Sequence, residues 1–125
     1  MNMQKERSHS IRFAFNENRL CISMEVLRAI GSPKYVQMFV NRNRKIFFIR
    51  GCVKKESQSF SVPPRVYADT EYKYRLQKAA FSEALQTATG LDSRGKYRFY
   101  GVLVSDCVMA FPFDDAQRLD GHDEL

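Results

Sequence analysis

Alternation of apolar and polar positions dominates the first half of the chain. In "IRFAF", Ile11, Phe13 and Phe15 share one face while Arg12 takes the other, a period of two that predicts a strand. "NEN" interrupts with turn residues, and "RLCI" resumes as a second short strand. Ser23 stands where a helix N-cap belongs. Met24, Leu27 and Ile30 then recur at helical spacing until Gly31, and Pro33 blocks continuation. "YVQMFVN" and "KIFFIR" alternate on either side of the polar "RNR", which predicts a hairpin.

The second half reads similarly. "GCVKKESQ" is a loop, and "SFSV" is a short strand closed by Pro63 and Pro64. Asp69 or Thr70 is placed to cap a helix expected to run to about Thr89, with Tyr74, Phe81, Leu85 and Ala88 on one face and Gly90 at its end. "KYRFYGVLV" and "CVMAFPF" predict a second hairpin around Ser105 and Asp106, with a bulge at Gly101. The expected fold is therefore α+β and mostly β, built from two strand–helix–β-hairpin units. "EVLRAIG" precedes one hairpin and "EALQTATG" the other. This echo is either a degenerate repeat or two helices that happen to end in glycine. The expected layout is a flexible polar N-terminus over 1–10, units over 11–52 and 56–113, and an acidic tail over 114–125.

Composition adds a partner to this picture. With 125 residues, 44% of them hydrophobic and 27% charged, the chain suits one domain or two very small ones with a real core. The net charge is +6 and unevenly spread. Residues 1–55 carry twelve Lys or Arg against three acids; residues 56–125 carry eight against eleven, five of the acids in "DDAQRLDGHDEL". A basic half suggests an anionic partner. The competing reading is an ordinary solvated surface of mixed charge.

Cys21, Cys52 and Cys107 are odd in number and far apart, and two lie in apolar runs. They suggest free thiols in a reducing compartment, with Cys21 and Cys107 buried. No run approaches the roughly 20 apolar residues of a membrane helix, and "MNMQKERSHS" lacks the apolar centre of a signal peptide. A cytoplasmic location is expected. The terminal "HDEL" matches a retention address that acts only on secretory proteins, so it is read here as coincidence.

Little in the chain points to catalysis. "GLDSRGKY" approximates a phosphate-cradling loop, yet Tyr97 replaces the magnesium-binding Ser or Thr, and the helix precedes the loop instead of following it. His9 and His122 lie near opposite ends and no cysteine pair has zinc spacing, so neither metal nor cofactor is expected. No carboxylate pair or serine–histidine arrangement suggests an enzyme. The basic side chains remain: Arg12, Arg19, Arg28, Arg42, Arg44 and Lys45, with Arg50 close by. Guanidinium forks suit phosphate oxygens, and such contacts dominate affinity for nucleic acid. Arg12 alternates away from Phe13, Arg19 opens a strand, and Arg28 lies off the helix's apolar stripe, so all three are expected on one surface. Arg42 and Arg44 could equally be solubilising turn residues.

"NRLCISMEVLRAIG" followed by "VQMFVNRNRKIFFI" resembles the AbrB/SpoVT/MazE-like swapped-hairpin family. Arg19 takes the arginine after the first turn, and Ile22 and Ser23 take the family's Ile-Pro. Glu25 and Arg28 fall in register on the helix, Ile30 and Gly31 stand for Leu-Gly, and Arg12 takes a further basic position on the first strand. Ser23 replaces proline, Leu27 replaces a second helix arginine, and "SPKY" replaces Gly-Asp. The resemblance covers about residues 11–50. It implies an intertwined homodimer with a barrel-like core, and a DNA-binding regulator. The small size of that unit agrees with pairing. The expected function is DNA-binding transcription regulation by the basic first half, with the rest supporting oligomerisation or sensing. The alternative is a protein-interaction module with no nucleic-acid role.

Overall fold

A computed structural model describes residues 9–69 and 73–119. Residues 1–8 of the expected flexible start, the Thr70 cap, His122 and the last residues of the acidic tail, including "HDEL", lie outside the described residues; Ser10, expected in that flexible start, already belongs to a strand. The fold is mixed α and β, mostly strands, in two antiparallel sheets.

The first sheet contains β1 (Ser10–Ala14), β2 (Arg19–Ile22), β6 (Tyr74–Gln77), β7 (Lys96–Tyr100) and β10 (Gln117–Leu119), in the order β10-β7-β1-β2-β6. The second contains β3 (Tyr35–Asn41), β4 (Ile46–Cys52), β5 (Phe60–Ser61), β8 (Val102–Ser105) and β9 (Val108–Pro112), in the order β5-β3-β4-β9-β8. Each sheet takes strands from both halves of the chain. The strands of each expected strand–helix–hairpin unit are thus divided between the sheets, because β1 and β4 find their second neighbours, β7 and β9, far along the chain.

Alternation puts Ile11, Phe13, Tyr97 and Phe99 on the inner face of the first sheet and Val36, Phe47, Ile49, Met109 and Phe111 on that of the second, all buried. The sheets meet through aromatic rings. Phe47 stacks on Phe111 at 4.8 Å and meets Phe99 edge-on at 5.3 Å. These offset and edge contacts suit the ring quadrupole.

Helix α1 (Met24–Ala29) forms where expected, and Ser23 caps it by accepting a hydrogen bond from the Val26 amide at 3.3 Å. Its buried face is Val26 and Leu27, continued by Ile30, while Met24 lies at the margin. The longer helix, α3 (Ala79–Thr89), starts ten residues after Asp69. Tyr74–Gln77 is strand β6, because pairing with β2 satisfies its backbone and its own alternation buries Tyr74 while Arg75 stays exposed. The match of Tyr74 to the helical stripe is accidental. Phe81 and Leu85 do face the core: the Phe81 ring lies 5.9 Å from Phe13 and 6.2 Å from Phe47, touching both sheets. Gly90, with φ +70°, ends the helix as expected. A short helix, α2 (Arg65–Ala68), follows the two prolines and was not expected.

The expected strand "KYRFYGVLV" is broken at Gly101. Before it the chain belongs to the first sheet, after it to the second. A Cβ at Gly101 would stand 2.6 Å from Met109 Sδ and 2.7 Å from the Phe111 ring, so only glycine lets the backbone turn this corner against the core. Among the described residues, no helix is long and apolar enough to cross a membrane.

Candidate anion-binding face

The side chains opposite the core on the first sheet form a basic surface. Register aligns Gln117, Arg98, Arg12, Cys21 and Arg75 in one row across all five strands. The next row on the same face is Leu119, Lys96, Ala14, Arg19 and Gln77. None of the outward positions in the described strands of this sheet is acidic. Ala14 and Cys21 are buried despite pointing outward. Each is short and stands between longer basic neighbours, whose apolar stems shield it.

Arg12 and Arg98 sit directly opposite each other on neighbouring strands. Like charges so placed repel and destabilise a sheet. The Arg98 Nε atom is also buried without a hydrogen-bond partner, a costly arrangement for a charged group. Glu17 pairs with Arg19 at 2.6 Å, both about one-third exposed, and Gln77 Nε2 donates to the Glu17 carbonyl at 3.1 Å.

Arg28, exposed on α1, joins this face at one end. It lines a cavity with Arg12, Cys21 and Lys73. Arg12 and Arg28 thus meet at one cavity, while Arg19 stands one row away on the same face, paired with Glu17. Arg42, Arg44 and Lys45 do not belong to this sheet; they form the turn between β3 and β4 in the other one. There the Arg44 amide donates to Asn41 Oδ1 at 3.1 Å, and Lys45 takes a left-handed φ of 56°. Arg50 lies on the second sheet and donates to Gln37 Oε1 at 3.0 Å.

The sequence reading missed Lys73, Arg75, Lys96 and Arg98. The signal was present in "KYR" at 73–75 only weakly, but plainly in "KYRFY", where basic and aromatic residues alternate. The thiols differ from expectation in one place. Cys21 and Cys52 are buried and free, but Cys107 is partly exposed because it falls in the β8–β9 turn instead of the strand. Burial pushes the Cys52 thiol up from its ordinary value, against the opposing effect of nearby Arg50. Among the described residues no cluster of three His, Cys, Asp or Glu could hold a metal ion.

The geometry defines a class: a two-sheet α+β protein with one guanidinium-rich sheet face. No protein family, curated protein or solved structure matches the chain.

Proposed function

We propose that this chain is a DNA-binding protein of regulatory type that holds duplex phosphates on the outward face of its first sheet. The observation that carries the reading is the row Arg98–Arg12–Arg75, three guanidinium groups in register on a sheet face whose described strand positions carry no acid. An anion lying across the row offsets the repulsion between the like charges of Arg12 and Arg98. Duplex is favoured over single strands because, among the described residues, the face lacks exposed stacking platforms: its aromatic, Tyr100, is buried with its hydroxyl bound to Gln117 Oε1 at 2.9 Å. The narrower reading, an AbrB-like cytoplasmic regulator acting as an intertwined swapped-hairpin homodimer, draws its support from the resemblance over residues 11–50. The basic face supports DNA binding without strand exchange, since β1 and β2 are already paired within one chain.

The test is a salt titration of binding to random-sequence duplex by fluorescence anisotropy. Contacts from Arg12, Arg19, Arg75, Arg98 and Lys96 give a log–log slope of about −4.5, at roughly −0.9 per phosphate. Affinity then falls about 500-fold between about 50 and 200 mM salt. A slope near zero, or no binding at the lower salt, defeats the proposal.

A second reading, an oligomerisation module, is favoured by strand β8. Of the four sheet edges, β6 and β10 carry arginines and β5 has two residues. β8, "VLVS", is uncharged and exposed throughout. An uncharged apolar edge invites pairing, and antiparallel pairing with β8 of a second copy is self-complementary. Sedimentation equilibrium should show a dimer that Leu103→Lys dissociates; a stable wild-type monomer at micromolar concentration excludes it.

A further inference from the structure

We propose that the outward face of the second sheet binds single-stranded nucleic acid, with bases stacked on Phe39 and Phe48. Alternation along β3 and β4 turns Val36, Phe47 and Ile49 to the core and leaves Phe39 and Phe48 on the opposite face. These two are direct partners in the ladder, so their Cβ atoms stand about 5 Å apart. Phe39 is 47% exposed and Phe48 is half-buried. A ring left this open forgoes its burial in the core. Its π-face is what an unpaired base stacks on, whatever the base.

Cations stand at both ends of the ring pair. Arg50 lies two residues beyond Phe48 on the same face and is exposed. Its Nη1 donates to Gln37 Oε1 at 3.0 Å, which fixes the guanidinium beside the rings and takes up one of its five donors. Arg44 is exposed in the turn that closes the hairpin at the other end. Arg42 and Lys45 have acids close to them: Arg42 lines a groove with Glu83 of α3, and the Lys45 carbonyl accepts from the Phe113 amide, next to Asp114. The five strands of this sheet hold one charged residue, Arg50. A second copy docked face to face would bury that charge with no strand acid to meet it, and charges are depleted at the centre of protein interfaces. Nucleic acid brings a phosphate to it instead. A duplex does not suit the rings, because its bases stack on one another and turn only their edges outward; an unpaired strand can lay a base flat on a ring. The site shares no residue with the duplex-binding face of the first sheet.

The experiment is fluorescence anisotropy of the full chain with oligothymidylate and oligouridylate of about 12 nucleotides, a length within the range one small domain covers, and with random duplex. Phe39→Leu keeps an apolar side chain and removes the ring. It should weaken single-strand binding about fivefold or more and leave duplex affinity unchanged. Phe39→Tyr retains the ring and should bind as the wild type does. Arg50→Ala should lower the magnitude of the single-strand salt slope by about 0.7. Ring dependence with either oligonucleotide supports the proposal, and the tighter of the two assigns the site to DNA or to RNA. Absence of single-strand binding at about 50 mM salt overturns it. So does binding that Phe39→Leu leaves unchanged, which would place the strand elsewhere. A dimer in sedimentation equilibrium that Phe39→Leu dissociates also overturns it, by giving the face to a second copy. Failure of random duplex to bind leaves the Phe39 comparison intact, so the two proposals fail separately.

Discussion

Arg98→Gln should move stability and binding in opposite directions. Arg98 faces Arg12 across β7 and β1, and its Nε is buried without a partner. Removing a directly opposed like charge returns about 0.2–1 kcal/mol. For a domain of this size, about 1 kcal/mol shifts Tm by a few degrees, so the variant should melt about 1–5 °C higher. The same change deletes one of the guanidinium groups of the central row. The salt slope on random duplex should then fall in magnitude by about 0.9, and low-salt affinity by roughly tenfold, the worth of one hydrogen bond to a charged group. Differential scanning fluorimetry and anisotropy on the same preparation read both effects. Arg98→Lys is the control: it keeps the charge, so slope and Tm should stay close to wild type. A lower Tm with unchanged affinity would show that Arg98 is held for packing. A higher Tm with unchanged affinity would show that the repulsive row serves no polyanion. Either result refutes the reasoning.

Replacing Arg42, Arg44 and Lys45 together with Ala should leave the salt slope unchanged in anisotropy, because that turn belongs to the other sheet. Gly101→Ala should destabilise by about 1–3 kcal/mol in urea unfolding, since its Cβ collides with Met109 and Phe111 and overpacked cores must shift. Burial pushes the Tyr67 hydroxyl up to about 12, and it donates to the Pro33 carbonyl at 2.7 Å. The folded state therefore holds this proton more tightly than the unfolded chain. Its contribution is complete below about pH 10 and is lost as pH rises from 10 toward 12. Tyr67→Phe should flatten that limb of a stability–pH profile.

Strands β1, β3 and β4 were legible because a strand with one face turned to the core writes its period into the sequence, and β2 because its short apolar run sits between turn residues and a helix cap. The segment 74–77 was not, because Tyr74 satisfies two patterns at once: helical spacing to Phe81 and Leu85, and alternation with Leu76. Pairing with β2, a partner more than fifty residues earlier, decides between them, and no local window contains that partner. The basic face was half legible for the same reason. Counting charge by halves credited Arg12 and Arg19 and hid Lys96 and Arg98 in a stretch with net negative charge. Register, which sets Arg98 beside Arg12, is a property of the sheet and not of spacing along the chain. The position of Arg28 off the apolar stripe was visible; that Lys73 would meet it across a cavity was not.

The division of each sheet between the two halves of the chain has a consequence for synthesis. When residues 10–52 have left the ribosome, β1 lacks β7 and β4 lacks β9, so the rows of Ile11 and Phe13, and of Phe47 and Ile49, have no covering layer. The nucleus that joins Phe47 to Phe99 and Phe111 waits for some sixty further residues. Long-range pairings of this kind fold slowly and leave apolar strands exposed to other chains in the interval. The hazard lies in the nascent first half, and lengthening the delay between residues 52 and 96, by slow codons or an inserted loop, should show itself as lost soluble yield before any change in the stability of the finished fold.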